Sequence, residues 1–217
     1  MDIIKYKIFE KINSKIEKSA ILFTDIKKSS ELWRDNQNEM VKALDKHHKI
    51  IDKIVNKHNG FIVKTIGDSF MCHFDKLSNS IKAAIEIQKD SKKNPIKVGN
   101  KLLKIRIGIC YGSMVHKDIK IQNKILKDYF GNSVNTASRL ESKVSDVGGF
   151  AFTYIGNIDE ENEIKNLIKN LKVDIIKYKD DKIKKRERSS RLLTDEQIKY
   201  ESLDTFGVSE FTAYKCI

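Results

Sequence analysis

The sequence predicts an α+β fold in which strands and helices follow one another in the order βαββαβ, with additional strands toward the C-terminus. Short apolar or alternating segments, typical of strands, lie between segments whose apolar residues recur every three or four positions, as on one helix face. No internal repeat and no Pro- or Gly-rich linker divides the 217 residues. We therefore expect one domain over residues 1–217, built on an antiparallel-containing sheet covered by helices.

The first predicted elements are a buried strand and a long helix. Residues 20–23 form a short apolar run that ends at Thr24-Asp25. The helix is indicated by residues at three- and four-residue spacing, namely Met40, Leu44, His47, Ile51, Ile54, Val55 and His58. Asn59-Gly60 provides a C-terminal stop. We interpret the two histidines of this stripe as core or rim residues in preference to metal ligands.

A hairpin is predicted after this helix. Residues 61–66 and 69–74 are rich in β-branched and aromatic side chains, and they flank Gly67-Asp68. A glycine next to an aspartate between two such segments is typical of a tight turn. The pattern therefore places Asp68 at the tip of a hairpin.

The remaining pattern continues the alternation of helices and strands. A helical stripe over residues 81–88 is closed by Asn94-Pro95, because the residue before a proline is biased away from helix. Residues 103–109 alternate apolar and other residues, as in a half-buried strand. The later predicted elements are a strand over 113–119, a polar connection, a short helix over 134–140, and strands over 150–155 and 211–216. The order corresponds to a split βαβ or ferredoxin-like plan.

Charge and cysteine content bear on partners and location. The formal net charge of +12 suits an anionic partner, which could be nucleic acid, a lipid surface or a triphosphate, although lysine-rich composition on solvated faces is the favoured explanation of the charge. Three isolated cysteines without metal-ligand spacing argue against a disulfide framework and for a reducing setting. No stretch approaches the roughly 20 apolar residues of a membrane span. We expect a soluble, cytoplasmic protein without a membrane partner.

The most basic part of the chain is residues 177–191, within a segment over 159–203 where the periodic pattern weakens. A run of Lys and Arg could form a binding arm for nucleic acid. Acidic residues interrupt the run at Asp180, Asp181 and Glu187, and no aromatic residue beyond Tyr178 is interleaved with it. A solvated helix or loop is the favoured interpretation, and we do not expect a nucleic-acid partner.

Two aspartates stand at the ends of apolar β-segments, Asp25 in Phe-Thr-Asp-Ile and Asp68 in Ile-Gly-Asp-Ser. Carboxylates at such edges suit magnesium, which usually takes one or two protein carboxylates together with substrate phosphates. Two such ions could activate a ribose hydroxyl and neutralise a leaving pyrophosphate. An aspartate at the end of a strand is also a common turn former or helix cap, so each residue alone leaves both interpretations open.

A second group of polar residues lies in the segment 128–141. If the chain is helical from Val134 onward, Asn135 and Arg139 stand at i and i+4 on one face, opposite the apolar stripe. A guanidinium beside an amide suits charge that develops on phosphate oxygens. A surface helix whose Arg139 pairs with a nearby acid would give the same pattern.

Taken together, these segments resemble the catalytic domain of class III adenylate and guanylate cyclases. The matching segments are Phe-Thr-Asp-Ile at 23–26, Lys-Thr-Ile-Gly-Asp at 64–68, Arg-Ile-Gly-Ile at 106–109, and Asp128 through Arg139. The likeness runs through core motifs at 18–142 and returns at the expected C-terminal strand over 208–217. Its specificity lies in the order of the four motifs. The resemblance implies the cyclase fold and a nucleotidyl cyclase activity.

The resemblance also implies the ligands of the metal ions. Asp25 and Asp68 would bind two Mg²⁺ or Mn²⁺ ions, with the carbonyl of Ile26 as a further ligand. The products would be a 3′,5′-cyclic nucleotide and pyrophosphate.

Lys64 and Asp128 match the positions that read the base in this family. A lysine and an aspartate there are similar to adenylate cyclases, since the ammonium can donate to a ring acceptor and the carboxylate can accept from an exocyclic amine. Guanylate cyclases typically have Glu and Cys instead. Asn135 and Arg139 match the pair that orients the ribose and stabilises the transition state. ATP is therefore the expected substrate.

In the family, the metal aspartates come from one subunit and the other groups from its partner. A chain with both sets implies a symmetric homodimer with two composite sites. No sensor domain, coiled coil or anchor is apparent, so we expect a stand-alone catalytic unit.

Two positions depart from the family pattern. Many members have a glycine shortly after the first aspartate, and here the residue is Lys28, so phosphate would be met by the hydroxyls and backbone amides of Ser29 and Ser30 at a helix N-terminus. The family also has a late lysine that contacts phosphate, and this sequence has no clear match for it near residues 206–209. Arg188, Arg191 or Lys27 could take its place.

Two other functions remain compatible with the sequence. The first is a pyrimidine cyclase that makes cyclic CMP or cyclic UMP as an antiphage signal, which some small stand-alone relatives of this family do. The second is a non-catalytic module that binds nucleotide or nucleic acid. The presence of both aspartates with Asn135 and Arg139 disfavours this second function.

Overall fold

The computed structural model describes residues 14–121, 124–179, 187–189, 196–202 and 211–217. Five α-helices are described: α1 (Ser29–Asp35), α2 (Gln37–Lys57), α3 (Leu77–Lys93), α4 (Asn132–Arg139) and α5 (Glu161–Ile168). A π-helical turn, Leu140–Val144, follows α4 directly. The strands are β1 (Ser14–Ile26), β2 (Gly60–Ile66), β3 (Ser69–Phe74), β4 (Lys97–Val98), β5 (Lys101–Leu102), β6 (Ile105–Ile121), β7 (Lys124–Phe130), β8 (Phe150–Tyr154), β9 (Val173–Lys179), β10 (Glu187–Ser189), β11 (Glu196–Ser202) and β12 (Phe211–Cys216).

One mixed sheet organises the described part of the chain. Its order is β10-β11-β9-β12-β8-β6-β1-β3-β2, and β7 pairs with the far end of β6. The β6–β8 and β9–β11 pairs are parallel, whereas the other ladders are antiparallel. The predicted α+β fold with an antiparallel-containing sheet is therefore confirmed.

Both faces of the central sheet are covered, which explains the continuous apolar run in β1. Ala20 and Leu22 belong to the main core, which also includes buried residues of α2 and α3. Ile21 and Phe23 face the other way and pack in a second cluster with Val134 of α4. A strand that is buried on both faces loses the alternation of a half-buried strand.

The local patterns of the first half are confirmed in detail. The stripe of α2 is buried at Met40, His47 and Ile51, and Asn59 follows the helix with a left-handed φ of 57°. β2 and β3 form the predicted hairpin, and Gly67 occupies its turn with a φ of 62°. No helix in the described ranges combines the length and the apolar character that crossing a bilayer requires.

Two expectations for the middle of the chain were wrong. The separate strand over 113–119 is the continuation of β6, and the polar connection after it contains β7. Gly112 does not break the strand; a Cβ there would lie 2.5 Å from Ser133 Oγ, so the glycine permits close packing of α4. β7 contains two lysines and an aspartate and has one β-branched residue, Ile125, so its composition does not indicate a strand.

The basic segment also differs from the expectation. A solvated helix or loop was expected over 177–191, but its described parts lie in β9 and β10. Residues 180–186 and 190–191 are outside the described residues, as are residues 206–209. The C-terminal strand is confirmed as β12.

Candidate active site

Asp25 lies at the end of β1, where it faces Arg106 directly across the antiparallel β1–β6 ladder. Its two carboxylate oxygens contact different donors. Ser69 Oγ donates to Oδ1 at 3.0 Å, and Arg106 Nη2 donates to Oδ2 at 2.5 Å. The Asp25 side chain is only 22% exposed, so these contacts are partly shielded from water.

Asp68 lies in the β2–β3 turn, next to Ser69. Its Oδ2 atom is buried and has no hydrogen-bond partner among the described residues. A buried carboxylate oxygen without a donor is unfavourable, because the protein does not replace the lost hydration. A cation is the ligand that best satisfies such an oxygen.

Glu141, in the π-helical turn, lies beside the same guanidinium as Asp25 and is influenced by the charge of Asp68, and these three carboxylates are called the Asp25 cluster. Its Oε1 lies 3.0 Å from Arg106 Nη2, which is ion-pair distance without hydrogen-bond geometry. The pKa of Glu141 is raised to about 7, chiefly by burial; the charge of Arg106 opposes the rise, and the charges of Asp25 and Asp68 add to it. The charges of both aspartates therefore act on Glu141, and the charges of Arg106 and Lys27 offset them incompletely.

Neither Arg106 nor Glu141 was among the site residues expected from sequence. Arg106 belongs to the Arg-Ile-Gly-Ile motif, and that motif was the available signal. Glu141 follows the α4 motif, but its position in a π-helical turn could not be inferred from periodicity.

The donor set around Asp25 and Asp68 fits a hard divalent cation. No cluster of three or more His, Cys, Asp or Glu side chains that could hold a metal occurs in the described ranges. Magnesium, however, commonly uses one or two carboxylates and completes its shell with water and phosphate oxygens. The two aspartates, with Ile26 immediately after Asp25 at the end of β1, provide that kind of partial shell.

Lys64 and Asp128 meet in an ion pair between β2 and β7. Lys64 Nζ lies 2.8 Å from Oδ1 and 2.6 Å from Oδ2 of Asp128. The backbone N–H of Tyr129 donates to the same Oδ1 at 2.8 Å. The Asp128 side chain is 13% exposed, whereas that of Lys64 is 41% exposed. The carboxylate is therefore the fixed member of the pair.

An aromatic stack supports this pair from the side. The Tyr129 ring lies between the rings of His73 and His116, with centroid distances of 4.6 and 5.2 Å. His73 Nε2 is 3.0 Å from Glu17 Oε1. Burial, and then the charge of Glu17, raise the pKa of Tyr129 above its usual value. A packed ring next to Asp128 restricts the conformations of that residue.

Asn135 and Arg139 lie one turn apart on α4, and Asn135 is exposed. The structure shows no hydrogen bond or ion pair from either side chain to a described residue. A surface helix whose Arg139 pairs with a nearby acid was the alternative interpretation of this segment. Within the described part of the chain, Arg139 has no such ion pair. Neither side chain is joined by a contact to the Asp25 cluster or to the Lys64–Asp128 pair in those residues.

α4 is held against β6 by a glycine. A Cβ on Gly108 would lie 2.1 Å from the backbone nitrogen of Glu141 and 2.3 Å from the Ala137 carbonyl oxygen. Only glycine permits this backbone approach. The contact fixes the helix and the π-helical turn to the strand that carries Arg106.

Ser29 and Ser30 form the first turn of α1, directly after Lys28. Lys28 has a left-handed backbone with φ of 60° and ψ of 34°, a conformation that glycine adopts most easily. Lys28 therefore has a backbone conformation that favours glycine, at the position where the sequence resemblance leads one to expect a glycine. Ser29 is half-buried and Ser30 is exposed.

The fold and the paired acidic and basic groups define the class of protein as a nucleotide-processing catalytic domain. The family model "Adenylate and Guanylate cyclase catalytic domain" matches residues 12–148. The chain belongs to this family, and it is a class III cyclase domain. The resemblance inferred from the four motifs is thus confirmed.

Relatives of known name agree with this assignment. The chain is 29% identical over 144 residues to an adenylate cyclase of Podospora anserina, which covers 57% of this chain and 6% of that protein. It is 29% identical over 160 residues to a receptor-type adenylate cyclase of Trypanosoma equiperdum, covering 57% of this chain and 33% of that protein. The chain thus spans a third or less of the length of these two relatives.

Solved structures show the same fold. The guanylate cyclase domain of a Catenaria anguillulae protein in complex with GTP matches with a TM-score of 0.63 and 19% identity, covering 92% of this chain and 96% of that one. An adenylyl cyclase from P. aeruginosa matches with a TM-score of 0.60 and 20% identity, covering 94% and 96%.

Proposed function

We propose that this chain is a nucleotidyl cyclase that converts a nucleoside triphosphate, with ATP preferred, to a 3′,5′-cyclic nucleotide and pyrophosphate. The observation that carries the proposal is the pair Asp25 and Asp68, whose charges both act on Glu141. One Asp68 oxygen is buried without a donor in the described part of the chain. A domain that only binds a partner has no need of this arrangement. Family membership supports the reaction type.

In the reaction, the ribose 3′ oxygen forms a bond to the α-phosphorus as the bond from that phosphorus to the β-bridging oxygen breaks. The proton of the 3′ hydroxyl passes to water, and pyrophosphate leaves. Asp25, Asp68 and the Ile26 carbonyl would hold two Mg²⁺ or Mn²⁺ ions. When bound, such ions lower the pKa of a coordinated hydroxyl and neutralise charge on phosphate oxygens.

Asn135 and Arg139 supply the other polar groups of the reaction. The Asn135 amide orients the ribose, and the Arg139 guanidinium stabilises the charge that develops on the α-phosphate. Both side chains are without a polar partner in the described residues, so binding substrate breaks no existing contact of theirs. The Ser29 and Ser30 hydroxyls and the first amides of α1 would contact the outer phosphates.

Lys64 and Asp128 read the base. An adenine ring presents an acceptor nitrogen next to an exocyclic amine, which matches an ammonium donor next to a carboxylate acceptor. The ion pair need not break, because an ammonium has three donors and a carboxylate has about four acceptor positions. The Tyr129 N–H and the Lys64 ammonium hold Asp128 in place while it accepts from the amine.

We further propose that the active unit is a homodimer with composite sites. Asn135 and Arg139 of one subunit would act on substrate held by the metal aspartates of the other. The proposal is supported by the lack of any hydrogen bond or ion pair between these two groups within the described part of one chain. A symmetric dimer would form two such sites.

The direct test is to incubate the purified chain with ATP, GTP, CTP and UTP separately in the presence of Mn²⁺ and to identify the products. Cyclic AMP should dominate, and Asp68→Ala should remove the activity. If only cyclic CMP or cyclic UMP is produced, the proposed preference for ATP is wrong and the substrate is a pyrimidine nucleotide. Full activity of Asp68→Ala would rule out the metal role of Asp68.

The composite site has its own test in mixed dimers. Asp25→Asn lacks the metal half and Arg139→Ala lacks the other half, so each variant alone should be inactive. When the two variants are mixed and their subunits exchange, about a quarter of the wild-type activity should return. Half of the dimers then contain one subunit of each variant, and each of these dimers has one intact site. Activity that stays at zero in verified mixed dimers would contradict shared sites.

A further inference from the structure

One guanidinium nitrogen is shared between two carboxylates of the Asp25 cluster. Arg106 Nη2 lies 2.5 Å from Asp25 Oδ2 and 3.0 Å from Glu141 Oε1. Only the first of these contacts has hydrogen-bond geometry, because Glu141 Oε1 has no hydrogen-bond partner in the described residues. The arginine is thus bound to Asp25 while a second acceptor lies next to it.

The other end of the guanidinium is fixed to the π-helical turn. Arg106 Nη1 donates to the Ser142 carbonyl oxygen at 3.0 Å. Arg106, Asp25 and Glu141 side chains are 15%, 22% and 10% exposed. Water therefore provides little compensation for a charge that loses its partner here. Nη2 can move from Asp25 to Glu141 by a short rotation of the guanidinium, while Nη1 keeps its hydrogen bond to Ser142.

Cation binding at Asp25 favours such a movement. Ser69 donates to one oxygen of Asp25 and Arg106 donates to the other. A divalent cation and a guanidinium repel each other, so a cation at Asp25 weakens the contact of Arg106 with Oδ2. If Arg106 moves away from that oxygen, Glu141 is the acceptor that keeps its buried charge paired.

We infer that Glu141 is a positioning residue that receives Arg106 when a metal ion binds Asp25, so that the arginine exchanges one carboxylate for another. The inference rests on the proposed metal role of Asp25 and Asp68. Glu141 acts through Arg106 and does not contact the ion. In the metal-free protein Arg106 balances Asp25, and in the loaded protein the same charge balances Glu141.

The experiment measures Mn²⁺ binding to the nucleotide-free full chain by electron paramagnetic resonance, in four proteins: wild type, Glu141→Gln, Arg106→Gln and the double variant. Glu141→Gln should weaken Mn²⁺ binding about tenfold, the size typical of residues that orient a metal ligand. Arg106→Gln should tighten binding, because the competitor of the ion is gone. In the double variant the effect of Glu141→Gln should vanish.

Glu163→Gln is the matched control, since Glu163 pairs with Lys82 on the surface away from the cluster. It should bind Mn²⁺ as the wild type does. If Glu141→Gln weakens binding equally with and without Arg106, Glu141 acts on the ion directly and the inference is overturned. No effect of Glu141→Gln in either background overturns it as well.

A second measurement does not depend on the folding of Arg106→Gln. The ¹⁵N signal of the Arg106 side chain, assigned by its loss in Arg106→Lys, should shift on Mg²⁺ titration of the wild type with the midpoint of metal binding. A signal that stays in place while Mg²⁺ binds would refute the exchange. Failure of the proposed function looks different, because wild type and Asp25→Asn would then bind Mn²⁺ equally.

Discussion

Lys64 Nζ and the Asp128 carboxylate form a bidentate contact within one chain, with distances of 2.8 and 2.6 Å to the two oxygens. The two residues are 64 positions apart in sequence and lie on β2 and β7. The groups proposed to read the base are therefore already assembled in the free subunit. We therefore expect little rearrangement of this pair when a nucleotide binds.

The base preference should follow this pair. Replacing Lys64→Glu together with Asp128→Cys should raise the ratio of kcat/KM for GTP to that for ATP by about tenfold or more, because a charged hydrogen bond contributes about 1.5–3 kcal/mol. Guanine presents donors where adenine presents an acceptor. Lys57→Glu changes a surface charge that pairs with Glu86, and it should leave the ratio unchanged. An unchanged ratio in the double variant would remove the pair from base selection.

Asp68 should destabilise the folded, metal-free protein. Its buried oxygen has no donor among the residues that the structure describes, and its charge acts on Glu141 in the same cluster. Asp68→Asn should stabilise the metal-free protein by about 1 kcal/mol, or about 2–4 °C in Tm, while abolishing activity. Asp25→Asn is the matched control and should lower Tm, because it removes the carboxylate that Arg106 contacts. Calorimetry in EDTA measures both, and a lower Tm for Asp68→Asn would contradict the argument.

The elements that position Asp25 and Asp68 were predictable because their signals are local. A continuous apolar run ends at Asp25. Gly67 precedes Asp68 between two β-rich segments, and its φ of 62° is the left-handed conformation that the hairpin turn needs. Turn chemistry and periodicity act over a few residues, so one sequence is enough to detect them.

The rest of the site depends on contacts that no local pattern encodes. Asp25 meets Arg106 across 81 residues through the register of β1 and β6, and Glu141 joins them from a π-helical turn. Register is set by how both faces of the sheet are packed, which sequence periodicity does not specify. Only the family resemblance indicates that Lys64 and Asp128 read the base. The local sequence pattern predicts a polar connection where the structure has β7, the strand that carries Asp128.

Gly108 should be needed for activity although it contacts no substrate. In Gly108→Ala the added methyl would meet the backbone at Glu141 and Ala137, so α4 must move away from β6. Overpacking of this kind costs about 2–3 kcal/mol and should displace Asn135 and Arg139, with a larger loss in kcat than in affinity for substrate. Activity assays and thermal unfolding measure the two effects.

Gly99→Ala is the control for this substitution. An added methyl there meets only an Asn36 side-chain atom at 3.9 Å, but Gly99 also has a positive φ of 57°. The variant therefore reports the backbone cost of replacing a glycine without a steric clash. If Gly108→Ala behaves like Gly99→Ala and keeps full kcat, the helix position does not depend on that contact.

His47 should make the stability of the protein depend on pH. Its side chain is 1% exposed, packs edge-on against Phe70 at 5.6 Å, and has no hydrogen-bond partner for either ring nitrogen among the described residues. It lines a cavity of about 10 Å³, which is at the lower limit of the space that one water needs. Burial, and then the charge of His48, lower the pKa of His47 from 6.5 to about 4. The ring is therefore neutral in the folded protein at pH 6.

The sign of the effect follows from proton binding. Between pH 6.5 and about 4 the unfolded chain binds a proton at His47 that the folded chain does not, so the free energy of unfolding falls as the pH is lowered through this window. The full loss is about 3 kcal/mol. Urea unfolding at pH 7 and pH 4.5 should show this dependence in the wild type and in His48→Leu, and much less of it in His47→Leu. An equal dependence in His47→Leu would assign it to other groups.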